Sequence, residues 1–160
     1  MRTKIASPKL LILGIVTLTV LGNARRAPAD NGCSNTTLRG SYGVHATGTL
    51  TAGPSAGPLA IVGVITFDGN GQFTLLQTQR ILVSGVPTTL KVPFTGTYIV
   101  NADCTFSTEM TNTLNGTIST TEAVIVDHAR EFFALNTTAG APIVVSAVAR
   151  KQFPGESEDR

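Results

Sequence analysis

Residues 58–82 read PLAIVGVITFDGNGQFTLLQTQRIL, with a run rich in β-branched and aromatic residues on each side of the sequence Asp68-Gly69-Asn70-Gly71. Asp-Gly followed by Asn-Gly is a strong signal for a tight turn between antiparallel strands. Phe67 and Phe73 lie three residues on either side of the turn centre, so we expect them to pair across the two strands. The segment therefore predicts a β-hairpin.

The rest of the chain repeats this pattern of alternating strands and short turns. Thr51–Pro58, with its two Gly-Pro pairs, is the clearest loop, and Pro93 is expected to mark an edge, a bulge or a bend in its strand. Besides the two arms of the hairpin, we expect strands at Leu38–Leu50, Leu90–Asn101, Thr105–Thr113, Ile118–Asp127, Glu131–Thr137 and Ile143–Lys151. No convincing helix follows residue 30.

Eight strands joined by short turns predict an all-β domain in which neighbours in sequence pair in space. Such a meander removes its exposed edges by closing into a barrel. We therefore expect a single antiparallel eight-stranded meander β-barrel over residues 30–153. A two-sheet β-sandwich is the alternative, although it needs long crossovers, and only the loop at 51–58 resembles one.

The N-terminus has the features of a secretory signal. Basic residues precede an uncharged run from Leu10 to Gly22, which is too short for a transmembrane helix. We expect a helical signal peptide over residues 1–29, cleaved after Ala24 or Ala29, and a disordered tail at 154–160. The product is then secreted or periplasmic and has no membrane span.

Removal of residues 1–29 takes away five of the twelve basic residues and none of the ten acidic ones, leaving a net charge of −3. No basic patch remains, which argues against nucleic-acid binding. Both cysteines, Cys33 and Cys104, survive cleavage, and an even pair in an exported protein predicts a disulfide. Two free thiols are the alternative. Neither cysteine has a second Cys or His at ligand spacing, so we expect no metal site.

Three segments carry a resemblance to known proteins: Leu38–Gly43 (LRGSYG), Val64–Phe73 (VITFDGNGQF) and Gly96–Thr105 (GTYIVNADCT). They resemble a group of small secreted bacterial proteins of uncharacterised function. That group is similar in outline to the allene oxide cyclase-like and lipocalin-like barrels of the calycin type. The resemblance supports the barrel and implies no catalytic residue, because none of the cyclase active-site positions can be matched here.

Few residues are candidates for chemistry. Arg80, Glu109 and His128 are the candidate catalytic groups, while Gln77, Gln79 and Arg80 are the candidate ligand-binding groups. Arg80, with Gln77 and Gln79 nearby, could line a polar lumen and bind an anion. Gln77 and Gln79 share the parity of Phe73 and Ile81, which favours inward-facing polar groups on this strand; a flip of the parity at a bulge is the alternative. Glu109 and His45 have the parity of the wet outer face, and the charges around His128 are typical of a solvated turn.

No nucleophile elbow, phosphate loop or dinucleotide motif is present, so we expect no cofactor. The favoured hypothesis is a non-enzymatic exported barrel that binds a small apolar molecule or serves as a secreted surface protein. One alternative is a cyclase- or isomerase-like enzyme with a polar site in the lumen. The other is a structural or adhesive protein. The sequence sets no oligomeric state.

Overall fold

The computed structural model describes residues 32–153. The predicted signal peptide at 1–29 and the predicted tail at 154–160 lie outside these residues. The described part contains eight strands: β1 (Arg39–Leu50), β2 (Gly57–Asp68), β3 (Gln72–Val83), β4 (Val86–Val100), β5 (Thr105–Asn112), β6 (Ile118–Val126), β7 (Glu131–Asn136) and β8 (Ile143–Lys151). Its only helical pieces are single 3-10 turns at Asn35–Thr37 and Asp127–Ala129. Neither could cross a bilayer.

The eight strands form a closed antiparallel barrel in sequence order. Closure is made by β1 and β8, which pair from Tyr42 opposite Lys151 to Leu50 opposite Ile143. This confirms the predicted meander barrel, and the sandwich alternative is wrong. Closure gives both edge strands a hydrogen-bonded neighbour, which two separate sheets would not do.

The β2–β3 hairpin confirms the turn expected from the sequence. Phe67 lies opposite Phe73, with ring centroids 5.7 Å apart. The Asp68 carboxylate accepts the backbone N–H groups of Asn70 at 2.7 Å and Gln72 at 3.0 Å. These donors, that of Gln72 first, lower the pKa of Asp68 because they stabilise the charged carboxylate. Gly69 and Gly71 supply the positive φ angles, 82° and 105°.

One end of the barrel is filled by aromatic rings, and we call this end the floor. Phe67 lies at its centre, and its ring centroid is 4.9 Å from that of Tyr98 and 5.7 Å from that of Tyr42. The Tyr42 hydroxyl donates a hydrogen bond of 2.8 Å to the carbonyl of Ala129. The floor consists of Leu38, Tyr42, Phe67, Phe73, Tyr98, Phe106 and Phe132, all buried.

The segment before β1 crosses the floor and is fastened there. Cys33 and Cys104 form the predicted disulfide, with Cα atoms 4.9 Å apart and a sequence separation of 71. The Asn35 side chain accepts the Val100 backbone N–H at 2.8 Å. The Tyr98 hydroxyl lies 3.0 Å from the carbonyls of both Asn35 and Leu38, so it can donate to either. The floor is therefore sealed from outside.

One boundary differs from the sequence prediction. We expected a break at Ser84–Pro87 and a strand from Leu90, but β4 begins at Val86 because Ser84-Gly85 alone closes the turn. Pro93 marks an edge: β5 pairs with β4 only from Phe94 onward, and the Pro93 carbonyl accepts the N–H of Thr113 at 3.0 Å. Proline has no N–H to donate, which suits the position where that ladder ends.

Candidate ligand site in the barrel interior

Most of the aromatic rings that face inward lie on the floor. We call the half of the barrel away from the floor the mouth half. Its buried residues are Ala46, Leu59, Ile61 and Ile81, with Leu50, Ile143, Val145 and Ala147 packed against them. They include two alanines and no aromatic ring. The interior is therefore not filled, and a cavity of about 430 Å³ remains.

The cavity lies between the floor and the ends of several strands. Phe67, Phe73, Phe106 and Phe132 bound it on the floor side. At the opposite side it reaches Leu50 at the end of β1, Asn115 in the turn after β5, and Ile143 at the start of β8. A molecule could therefore enter through the mouth and stop on the aromatic rings.

Two walls of different chemistry enclose this space. The apolar wall comes from β8, β1 and β2, and consists of Ile143, Val145, Ala147, Val44, Ala46, Leu50, Leu59, Ile61 and Ile65. The other side comes from β3 and from the stretch that begins with β5 and ends with β7, and it mixes Leu75, Met110, Ala134 and Leu135 with polar residues. We call these polar residues the polar wall: Gln77, Gln79, Thr108, Asn112, Asn115, Thr117, Ser119, Thr121 and Asn136. No ionisable side chain lines the cavity in the part of the chain that the structure describes.

Several polar groups of this wall already have partners. The hydroxyls of Thr108 and Thr121 lie 2.6 Å apart and bond to each other. The Asn136 amide donates to the Thr138 hydroxyl at 3.2 Å, which also accepts the N–H of Thr120 at 2.8 Å. These bonds hold the polar wall in place and leave fewer of its groups open to a bound molecule.

Gln77 differs from these residues. Its side chain is only 8% exposed, yet no residue within 32–153 makes a hydrogen bond to its amide. No buried side-chain nitrogen or oxygen in that range is both fully enclosed and without a partner. The polar atoms of Gln77 are therefore accessible from the cavity. A hydrogen bond from water or a ligand stabilises a buried amide of this kind, because an unbonded buried polar group is energetically costly.

Gly63 lies on β2 directly opposite Gln77. A Cβ atom at position 63 would lie 2.6 Å from the carbonyl oxygen of Leu76 and 2.9 Å from the Cα of Gln77. Glycine is therefore required here, because the two strands approach too closely for any other residue.

The structure places some of the five candidate residues from the sequence inside the barrel and the others outside. Gln77 and Gln79 line the cavity, as their parity predicts. Arg80 follows them on the outer face, where its guanidinium donates to the Thr89 hydroxyl at 2.8 Å. Since adjacent strand residues point to opposite faces, Arg80 cannot share the interior with Gln79.

Glu109 and His128 also lie outside the cavity. Glu109 is exposed on β5 and borders a shallow depression on the outer surface with Thr97 and Thr111. His128 is exposed in the 3-10 turn between β6 and β7, at the floor end of the barrel. The structure brings no two of Arg80, Glu109 and His128 together in the interior, and their catalytic roles stay predictions.

Sequence reasoning missed much of the polar wall. Asn112 continues the inward parity of Phe106, Thr108 and Met110, and Asn136 continues that of Phe132. That alternation could have identified both. Thr117, just before β6, also continues the inward parity of Ser119 and Thr121, whereas Asn115 lies in the turn after β5, where strand parity makes no prediction.

No family model and no curated protein matches this chain. Solved structures do match. A redesigned β-barrel, mFAP1, bound to DFHBI, is 15% identical with a TM-score of 0.51 over 73% of this chain and 97% of that one. The redesigned β-barrel b11L5F_LGL is 13% identical with a TM-score of 0.53 over 74% and 95%. Rv2717c from M. tuberculosis is 17% identical with a TM-score of 0.39 over 73% and 94%. The chain shares the β-barrel fold with the two redesigned barrels.

Proposed function

We propose that this protein binds a small, largely apolar molecule in the mouth half of its barrel. The observation that carries the proposal is the cavity of about 430 Å³, closed by aromatic rings on one side and reaching the strand ends on the other. This volume lies within the usual range of ligand pockets, about 300–1,000 Å³, and a mostly apolar lining with a few polar groups is typical of them. The mouths of β-barrels are among their usual places.

The redesigned barrel mFAP1 supports the proposal, since a barrel of similar fold holds DFHBI. The sequence resemblance to calycin-type barrels points the same way. We further propose that the protein is exported to a secreted or periplasmic location. The Cys33–Cys104 disulfide supports this, because such bonds persist in oxidising compartments.

An enzyme acting in the lumen would need a group that can donate or accept a proton, or else would have to work by positioning alone. The polar groups of the described wall are amides and hydroxyls, which form hydrogen bonds but are weak proton donors and acceptors near neutral pH. This favours binding over acid–base chemistry. A structural or adhesive role predicts instead that nothing binds in the cavity.

A fluorescent probe tests the proposal directly. N-phenyl-1-naphthylamine is neutral and apolar, and it becomes brighter when it leaves water. We expect saturable binding to one site and a rise in the melting temperature with probe concentration, because a ligand of the folded state stabilises it. Ala147→Phe adds a ring to the cavity and should abolish binding.

Ala60→Phe is the matched control, since Ala60 lies on the outer face of β2 and does not line the cavity. This variant should bind the probe as the wild type does. Binding that survives Ala147→Phe, or a wild-type protein that binds no probe, would contradict the proposal and favour the structural or adhesive alternative.

A further inference from the structure

The cavity wall is polar on one side but carries no charge among the described residues. Arg80 directly follows the lining residue Gln79 in sequence, but its side chain points outward and donates a hydrogen bond to Thr89. An ionised carboxylate that entered the mouth half would lose its water and find no cation in return. The penalty for burying an unpaired charge is large, whereas a neutral polar group needs only hydrogen bonds.

We infer that the ligand is an uncharged molecule that carries an amide, carbonyl or hydroxyl group on one edge, and that Gln77 is the residue that binds this edge. Fatty-acid carboxylates and other anions are excluded, because the described lining offers them no cation. This inference rests on the proposed function, since it concerns the same cavity.

Gln77 suits this role because of its position and its accessible amide. It lies in the middle of β3, opposite Gly63, and its side chain is buried without a hydrogen bond from any other described residue. An amide offers both donors and an acceptor, so it can pair with a ligand amide in two bonds or with a hydroxyl or carbonyl in one. Thr108 and Thr121, across the cavity, are already engaged with each other.

The apolar wall then covers the rest of the molecule. Ile61 and Leu59 belong to the strand next to Gln77, and Val145 and Ala147 come from β8. A rigid aromatic body with one polar substituent would place its ring against these residues and its substituent toward Gln77.

Three compounds on the same naphthalene ring separate charge from hydrogen bonding: 2-naphthamide, 2-naphthoate at pH 8, which matches it in shape, and unsubstituted naphthalene. In the wild-type protein we expect 2-naphthamide to bind at least about tenfold more tightly than 2-naphthoate, because only the carboxylate is charged at this pH. It should bind about three- to tenfold more tightly than naphthalene, the gain typical of a neutral hydrogen bond.

Gln77→Met removes the amide at nearly constant shape and should eliminate the preference for 2-naphthamide over naphthalene while naphthalene still binds. Gln72→Met is the control, because Gln72 lies exposed on the outer face of the same strand and should leave all three affinities unchanged. Gln79→Arg places a cation in the mouth half and should raise the affinity for 2-naphthoate at least about tenfold at low salt.

The outcomes distinguish this inference from the proposed function. If naphthalene and N-phenyl-1-naphthylamine both fail to bind, the proposed function is wrong. If they bind and wild-type protein also takes up 2-naphthoate as tightly as 2-naphthamide, the cavity is a ligand site but the inference about its ligand is overturned. An unchanged amide preference in Gln77→Met overturns the role of Gln77.

Discussion

The floor and the mouth half are built from the same strands and the same alternation of side chains, yet one is filled and the other is open. On β2, the inward positions run from Leu59 and Ile61 in the mouth half to Phe67 on the floor. On β1, the inward residue is Tyr42 on the floor and Ala46 in the mouth half. On these two strands the two halves differ in side-chain volume, since both sets of inward residues are apolar. Alternation is thus enough to close a barrel, but the size of the inward residues sets whether its lumen can hold a ligand.

The largest contrast between the two halves is expected from truncating one large side chain in each. Phe67 contacts the rings of Tyr42, Phe73, Tyr98, Phe106 and Phe132. Phe67→Ala should lower the free energy of unfolding by about 3–5 kcal/mol, and Leu59→Ala, beside an existing cavity, by about 2 kcal/mol. Urea unfolding measures both.

Leu76→Ala is the control for these variants, since Leu76 is 57% exposed on the outside of the barrel. Its effect should stay within about 0.5 kcal/mol. Equal losses for Phe67→Ala and Leu59→Ala would mean that the two halves are packed alike, and the contrast between a filled floor and an open mouth half would be wrong.

The disulfide should matter to the floor and not to the mouth half. Replacing both Cys33 and Cys104 by serine frees a loop of 71 positions, and we expect a loss of about 2–4 kcal/mol in the free energy of unfolding. Affinity for N-phenyl-1-naphthylamine, measured on the folded fraction, should change by less than about twofold. A large loss of affinity with intact folding would show that the two halves are coupled.

Tyr42→Phe tests the buried hydrogen bond of the floor. The change leaves the carbonyl of Ala129 without its donor, and we expect a cost of about 1–2 kcal/mol at pH 8. Burial, with a smaller contribution from Tyr98, raises the pKa of Tyr42 to about 12. The hydroxyl therefore ionises first in the unfolded chain, near its ordinary pKa of about 10.

The stability that Tyr42 contributes should be complete below about pH 10 and decline as the pH rises toward 12. Since Tyr42→Phe lacks this ionisation, the gap between wild type and variant should narrow across that window. Urea unfolding at several pH values between 8 and 12 measures the gap. A constant gap would mean that the hydroxyl is as solvated in the folded state as in the unfolded one.

The smallest effect is expected at the turn between β6 and β7. His128 has φ of 53° and ψ of 45°, in the left-handed region, and its neighbours Asp127 and Ala129 also have positive φ. Glycine adopts this conformation without steric cost, so His128→Gly should stabilise the protein by about 0.5 kcal/mol. His45→Gly, on strand β1, should have the opposite sign, because glycine weakens a strand. Thermal unfolding of both variants tests the pair.

Most of the fold could be predicted from the alternation of apolar and polar side chains along the strands. The parity of Tyr42, Val44 and Ala46 on β1, and of Phe73 and Gln77 on β3, matches the inward faces of the barrel. The Asp68–Gly71 turn fixed the register of the central hairpin. By contrast, the predicted start of β4 was wrong because Pro87 suggests a break. In the structure, β5 does not pair with this part of β4, so the strand edge that faces away from β3 needs no backbone N–H at Pro87.

The site was harder to predict than the fold. Parity placed Gln77 and Gln79 inside, and the same rule puts Arg80 outside, one residue further on. The size of the cavity could not be predicted, because it depends on how eight strands stagger and on whether facing side chains fill the space between them. Asn115 reaches the wall from the turn after β5, where strand parity makes no prediction.

Where a bound molecule lies decides whether the mouth half is a ligand site. With N-phenyl-1-naphthylamine bound, nuclear Overhauser effects should connect its ring protons to the methyl groups of Leu59, Ile61 and Val145, which line the mouth half. Methyl groups of the exposed Val62, Leu76 and Val144 should show none. Contacts to the exposed methyl groups, without contacts to the inner ones, would contradict binding in the lumen, since the probe would then lie on the outer surface of the barrel.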